Sequence, residues 1–125
     1  MPQYFLDTYA LIEIAKKNPA YAKFAIVSDS LTSELNLMEL YYQVLRDYDA
    51  KTARNQHKLL LPIVFKYSRE TMQLAMELRL KLKQEKKLNV SYVDAIGYQI
   101  AIENNLKFVT GDQAFKDLEN VEFVK

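Results

Sequence analysis

Four acidic residues, Asp7, Glu39, Asp94 and Asp112, share one local setting in this 125-residue chain. Asp7 closes the short apolar run "QYFLD" and precedes a helical pattern, while Asp112 follows "LKFVT" and precedes a shorter one. Glu39 lies three residues after Asn36, and Asp94 three after Ser91, the spacing of a capping box. Acids at helix starts satisfy orphan amide donors and favour the helix dipole, each by roughly 0.3–1 kcal/mol. Capping therefore explains any one of them alone. If the strands before them are neighbours in a parallel sheet, the acids converge on the edge where ligands bind. Two carboxylates about 5 Å apart repel by roughly 3 kcal/mol at an effective dielectric near 20. A divalent cation offsets that repulsion, and oxygen-only ligands suit Mg²⁺ or Mn²⁺ rather than zinc or copper.

The rest of the composition narrows the alternatives. There is no cysteine, which excludes disulfides, thiolate metal sites and cysteine nucleophiles and fits a reducing cytoplasm. A single histidine, His57, leaves no histidine acid/base pair, and two glycines, Gly97 and Gly111, cannot build a glycine-rich phosphate loop. A net charge of +1 gives no overall field to recruit nucleic acid or membrane, so any basic footprint is local. The first residues lack the pattern of a signal peptide, and no apolar stretch approaches the ~18 residues of a membrane span.

The elements that must position the acids read as one domain over residues 1–125. A strand at 3–7 leads into the helix "TYALIEIAKKN", which Asn18-Pro19 breaks. "AYAKFAIVSDSLTSEL" reads as a helical turn and then a strand ending near Leu35. Leu37, Leu40, Tyr41, Val44, Leu45 and Tyr48 mark an amphipathic helix starting at Asn36, followed by a second helix to about Leu60. "LPIVFKY" reads as a strand, and Ser68 and Ser91 as caps of two further helices. "LKFVT" and "VEFV" are strands around a short final helix. Strands alternating with helices argue an α/β fold with a parallel sheet covered on both faces.

In that order, "YFLDTYALIE", "NLMELYY", "SYVDAIGYQIAIENNLKFVTGDQAF" and "VEFV" resemble PIN-domain ribonucleases, especially VapC-type toxins. The resemblance covers most of the chain and is weakest between Ala20 and Thr32. It implies a three-layer α/β/α fold with a mostly parallel five-stranded sheet. It also implies Mg²⁺- or Mn²⁺-dependent endonuclease activity on RNA that leaves 5′-phosphate and 3′-hydroxyl ends, an antitoxin partner and frequent homodimers. The family's acidic quartet maps onto Asp7, Glu39, Asp94 and Asp112, and its two supporting hydroxyls onto Thr8 and Thr110. Asp7 and Asp94 are then expected as direct metal ligands. Glu39 is a ligand or orients the attacking water, and Asp112 is an outer or second-metal ligand.

The run "RLKLKQEKK" carries five basic residues against one acid. Lys81, Lys83, Lys86 and Lys87 read either as a phosphate-contacting ridge or as a solvated helix end that complements the dipole. His57 reads as a surface residue, and of Tyr41 and Tyr42 one is expected in the core and the other partly exposed. Two rival functions share the sheet architecture. A receiver-like signalling domain wants adjacent acids after the first strand, where this chain has only Asp7. A catalytically weak RNA- or metal-binding relative would keep the fold, but a complete quartet argues against it.

Overall fold

The computed structural model of the chain describes residues 2–25 and 27–125. Strand β1 (Tyr4–Leu6) is followed by helix α1 (Thr8–Ala15), and two 3₁₀ segments (Pro19–Phe24 and Val27–Asp29) lead to strand β2 (Ser30–Leu31). Helices α2 (Glu34–Asp47), α3 (Ala50–Leu60), α4 (Arg69–Lys86) and α5 (Tyr92–Glu103) come next. Strand β3 (Lys107–Thr110), a 3₁₀ turn (Gln113–Phe115) and strand β4 (Val121–Phe123) complete the order. All the pairings are parallel and the strand order is β2-β1-β3-β4.

Side-chain alternation along β1 and β3 creates two cores. Phe5 pairs in register with Phe108, and Leu6 with Val109. The two phenyl rings stack at 5.9 Å and face α4 and α5, joining Ala75, Leu82, Ile100 and Phe115. Leu6 and Val109 point the other way, into a core with Leu11, Tyr21, Leu37, Leu40 and Ala53 on α1 to α3. Helices therefore cover both faces, as parallel strands require. Gly97 lets α5 approach closely, since a Cβ there would stand 2.7 Å from Phe5 Cε1 and 3.3 Å from Phe108 Cε1.

Two expectations are corrected. The named strands among the described residues number four, not five. "LPIVFKY" instead forms a 3₁₀ turn (Leu61–Ile63), with Pro62 among its residues, and then one parallel bridge, Thr32 to Val64. The Thr32 amide donates to the Ile63 carbonyl at 3.0 Å and the Phe65 amide to the Thr32 carbonyl at 2.8 Å, so a single rung marks the fifth strand's place. Pro62 has no amide hydrogen with which to lengthen the ladder. The strand expected to end near Leu35 stops at Leu31, because Ser33 caps α2 by accepting the Asn36 amide. That stretch includes Ile26, which lies outside the described residues.

Candidate active site

The strand order changes direction at β1. From β1 the chain passes to β2 on one side, and it later returns through β3 on the other. The gap between the ends of β1 and β3 is thus the topological switch point, where α/β sheets bind ligands. Asp7 stands there, one residue beyond β1, with its amide donating to the Val109 carbonyl at 3.3 Å. Its carboxylate caps α1, accepting the Ala10 amide at 2.8 Å, and the residue is only 2 % exposed. Asp112 follows β3 and caps the short 3₁₀ turn, accepting the Ala114 amide at 3.0 Å. Asp94 occupies the third position of α5, with its amide bonded to the Ser91 hydroxyl at 3.0 Å. Asp7, Glu39, Asp94 and Asp112 all line one open cleft of about 470 Å³.

Glu39 arrives by a different route from the one its spacing suggests. With Ser33 as the cap, Glu39 lies in the second turn of α2 and not at a capping-box position. Its support is Thr8, whose hydroxyl donates to Glu39 Oε1. Thr110 is fully buried, and its oxygen accepts the Asp112 amide at 3.0 Å. Both hydroxyls singled out in the sequence therefore touch the acids or their backbone.

Electrostatics mark the cleft as short of positive charge. Burial pushes the Asp7 carboxyl up to about 7, the Thr110 hydroxyl and Ala10 amide pull it down, and Asp94 and Asp112 add to the rise. Asp94 is pushed up to about 6, first by burial and then by Asp112 and Glu39, against the lowering effect of Ser91. Among the described residues, the one ion pair is the exposed Arg46–Asp47 pair, so none of the four acids has a basic partner. Lys125 lines the cleft without pairing to them. Nor, among the described residues, are three acids drawn tightly enough together to chelate an ion as they stand. The expected convergence within a few ångströms is therefore looser, a shared cleft rather than a closed cluster. The chemistry of an all-oxygen donor set that includes a buried carboxylate with no basic partner among the described residues fits a hard dication such as Mg²⁺ or Mn²⁺, and Mg²⁺ keeps several waters that can span such gaps.

The sequence matches the PIN domain family over residues 4–121. The chain belongs to that family. No curated protein sequence matches this PIN domain. Among solved structures it resembles VapBC2 from Rickettsia felis bound to a DNA fragment from their promoter, with TM-score 0.72 and 23 % identity over 97 % of this chain and 96 % of that one. It also resembles a toxin-antitoxin complex from Klebsiella pneumoniae, with TM-score 0.72 and 18 % identity over 96 % of each chain. PAE2754 from Pyrobaculum aerophilum matches with TM-score 0.69 and 16 % identity over 98 % of this chain and 91 % of that one. At these identities the likeness speaks for the fold.

Other candidates fall outside the cleft. Lys81, Lys83, Lys86 and Lys87 are exposed at the end of α4, and Lys81 and Lys86 border a separate groove with Glu85, Asp117 and Glu119. His57, read as a surface residue, is instead half-buried against the Tyr41 ring and is not among the residues lining the acids' cleft. Tyr41 packs against the α1–α3 core, while Tyr42 is exposed. Sequence reading missed Asn36 as a buried polar group, and Tyr9, Gln113 and Lys125 as lining residues. The "S-x-x-N" spacing of Ser33 and Asn36 carried a capping signal one turn earlier than the helix start chosen from periodicity.

Proposed function

We propose that this PIN domain is a divalent-cation-dependent endoribonuclease that hydrolyses RNA phosphodiester bonds, and that it serves as the toxin of a toxin–antitoxin pair. The observation that carries the nuclease reading is Asp7, buried at the β1–β3 switch point with no basic partner among the described residues and sharing one cleft with three more acids. Asp7 and Asp94 are the residues to hold Mg²⁺ or Mn²⁺, and Asp112 offers an outer or second position. A bound dication supplies Lewis acidity, acidifying the attacking water and offsetting charge that grows on the phosphate oxygens. Glu39 has Oε1 fixed by Thr8, so Oε2 is the oxygen left to orient the water. Thr110 holds the Asp112 backbone and thereby the turn that presents its carboxylate. With no histidine at the cleft, proton handling falls to the carboxylates.

The toxin assignment is supported by the resemblance to a chain of a toxin–antitoxin complex and by an exposed apolar face along α2 and its C-cap. Met38, Tyr42, Leu45 and Tyr48 are exposed there, as suits a protein partner such as an antitoxin or a second copy. Incubating the protein with single-stranded and structured RNA tests the nuclease reading. Cleavage is expected with Mg²⁺ or Mn²⁺ and is lost in excess chelator. Asp7→Asn and Asp94→Asn are expected to reduce it at least about a hundredfold. Activity that survives both substitutions would overturn the assignment.

A further inference from the structure

Asn36 is fully buried on the first turn of α2, and both ends of its amide are engaged. The Ser33 hydroxyl donates to Asn36 Oδ1 at 2.6 Å, Asn36 Nδ2 donates to Thr8 Oγ1 at 3.0 Å, and Thr8 Oγ1 donates to Glu39 Oε1. The direction of this chain follows from chemistry. The Thr8 hydroxyl has one proton and gives it to Glu39 Oε1. Thr8 can then take only a donor on its lone pairs, which turns the NH₂ side of Asn36 towards it. The Asn36 oxygen is left for Ser33, whose own oxygen accepts the Asn36 backbone amide at 3.3 Å as the helix cap. Each member has one permitted orientation. Thr32, next to Ser33, donates its hydroxyl to the Leu6 carbonyl at 2.8 Å, tying the start of α2 to the end of β1 beside Asp7.

We infer that Asn36 is a positioning residue of the active site: it orients Thr8 so that the threonine proton points at Glu39, which fixes one Glu39 oxygen and leaves the other facing the cleft. This rests on the cleft being a cation-dependent RNA-cleaving site. Outer hydrogen-bond partners of this kind typically change metal affinity or activity by ten- to a hundredfold when removed.

Two near-isosteric substitutions test it. Asn36→Leu removes the donor and places nothing opposite Thr8, whereas Asn36→Asp replaces the donor with an acceptor that draws the Thr8 proton away. Their charge changes differ, so a shared effect reports the lost donor. Both are expected to weaken Mn²⁺ binding in calorimetry and lower kcat on RNA by roughly ten- to a hundredfold, leaving KM within about twofold. Asn36→Leu combined with Thr8→Val is expected to be no worse than Thr8→Val alone, because Asn36 acts through Thr8. Wild-type Mn²⁺ affinity and kcat with only a lower Tm, or additive losses in the double variant, would overturn the inference. If one variant does not fold, the other carries the comparison. A wild-type protein that binds Mn²⁺ but cuts no RNA removes the proposed function, while the Mn²⁺ comparison still judges Asn36. If the wild type binds no Mn²⁺, the crystal structure of the folded variant decides. Glu39 turned from Thr8 supports the role, and Glu39 unmoved overturns it.

Discussion

Asp7 carries two conflicting demands, because the residue that caps α1 is also a carboxylate enclosed by protein beside two others. In an unfolded chain an aspartate titrates near pH 4, whereas folded Asp7 titrates near 7. Between those values the folded chain holds more protons than the unfolded one, so its stability falls as pH rises. For the metal-free protein we expect the loss from pH 5 to pH 8 to be on the order of 2–4 kcal/mol from Asp7. Asp94 adds in the same direction over a lower window, since its folded value is about 6. Asparagine at position 7 keeps an acceptor for the Ala10 amide but carries no charge. Asp7→Asn should therefore flatten the pH dependence in chelator and raise stability at pH 8 while removing cleavage. Urea unfolding at the two pH values measures this, and a steep slope retained by the variant would contradict it.

At the scale of the element, α5 sets Asp94 by its depth against the sheet. Alanine at position 97 favours a helix interior by about 1 kcal/mol over glycine. The added methyl would stand 2.7 Å from the Phe5 ring, so α5 or the stacked phenyl pair must shift. Overpacking of this kind typically costs 1–3 kcal/mol. A net loss of about 1 kcal/mol is expected for Gly97→Ala, read as a lower Tm. Elements with strong local signals were legible in the sequence: the caps Ser68 and Ser91, the helix stripe of α2, and the strand ends carrying Asp7 and Asp112. Where tertiary pairing decided, the reading slipped. "LPIVFKY" has the composition of a strand, yet it contains Pro62 and reaches a single rung beside Thr32. Asn36 suits a helix cap by its side chain, but its side-chain partners are Thr8 from distant sequence and Ser33 from local sequence. Periodicity contains no information about such a partner 28 residues away.

For the whole molecule, the proposed ion in the cleft would couple its binding to folding. An ion that binds only the folded chain at a hundred times its Kd adds about 2.7 kcal/mol. In a chain of this size that raises Tm by roughly 10 °C. Mn²⁺ is expected to produce such a shift at pH 8 in the wild type and little of it in Asp7→Asn or Asp94→Asn, measured by calorimetric melting. No helix among the described residues is long and apolar enough to cross a membrane. The sheet's central strand is made first and completed late: Tyr4 pairs with Lys107 and Leu6 with Val109, across about a hundred residues of intervening chain. While the polypeptide is still emerging from the ribosome, Asp7 has left the exit tunnel but Asp112 has not yet joined it. Until β3 emerges and pairs with β1, a nascent chain carries Asp7 without the cleft around it, so the site is assembled long after the strand that begins it.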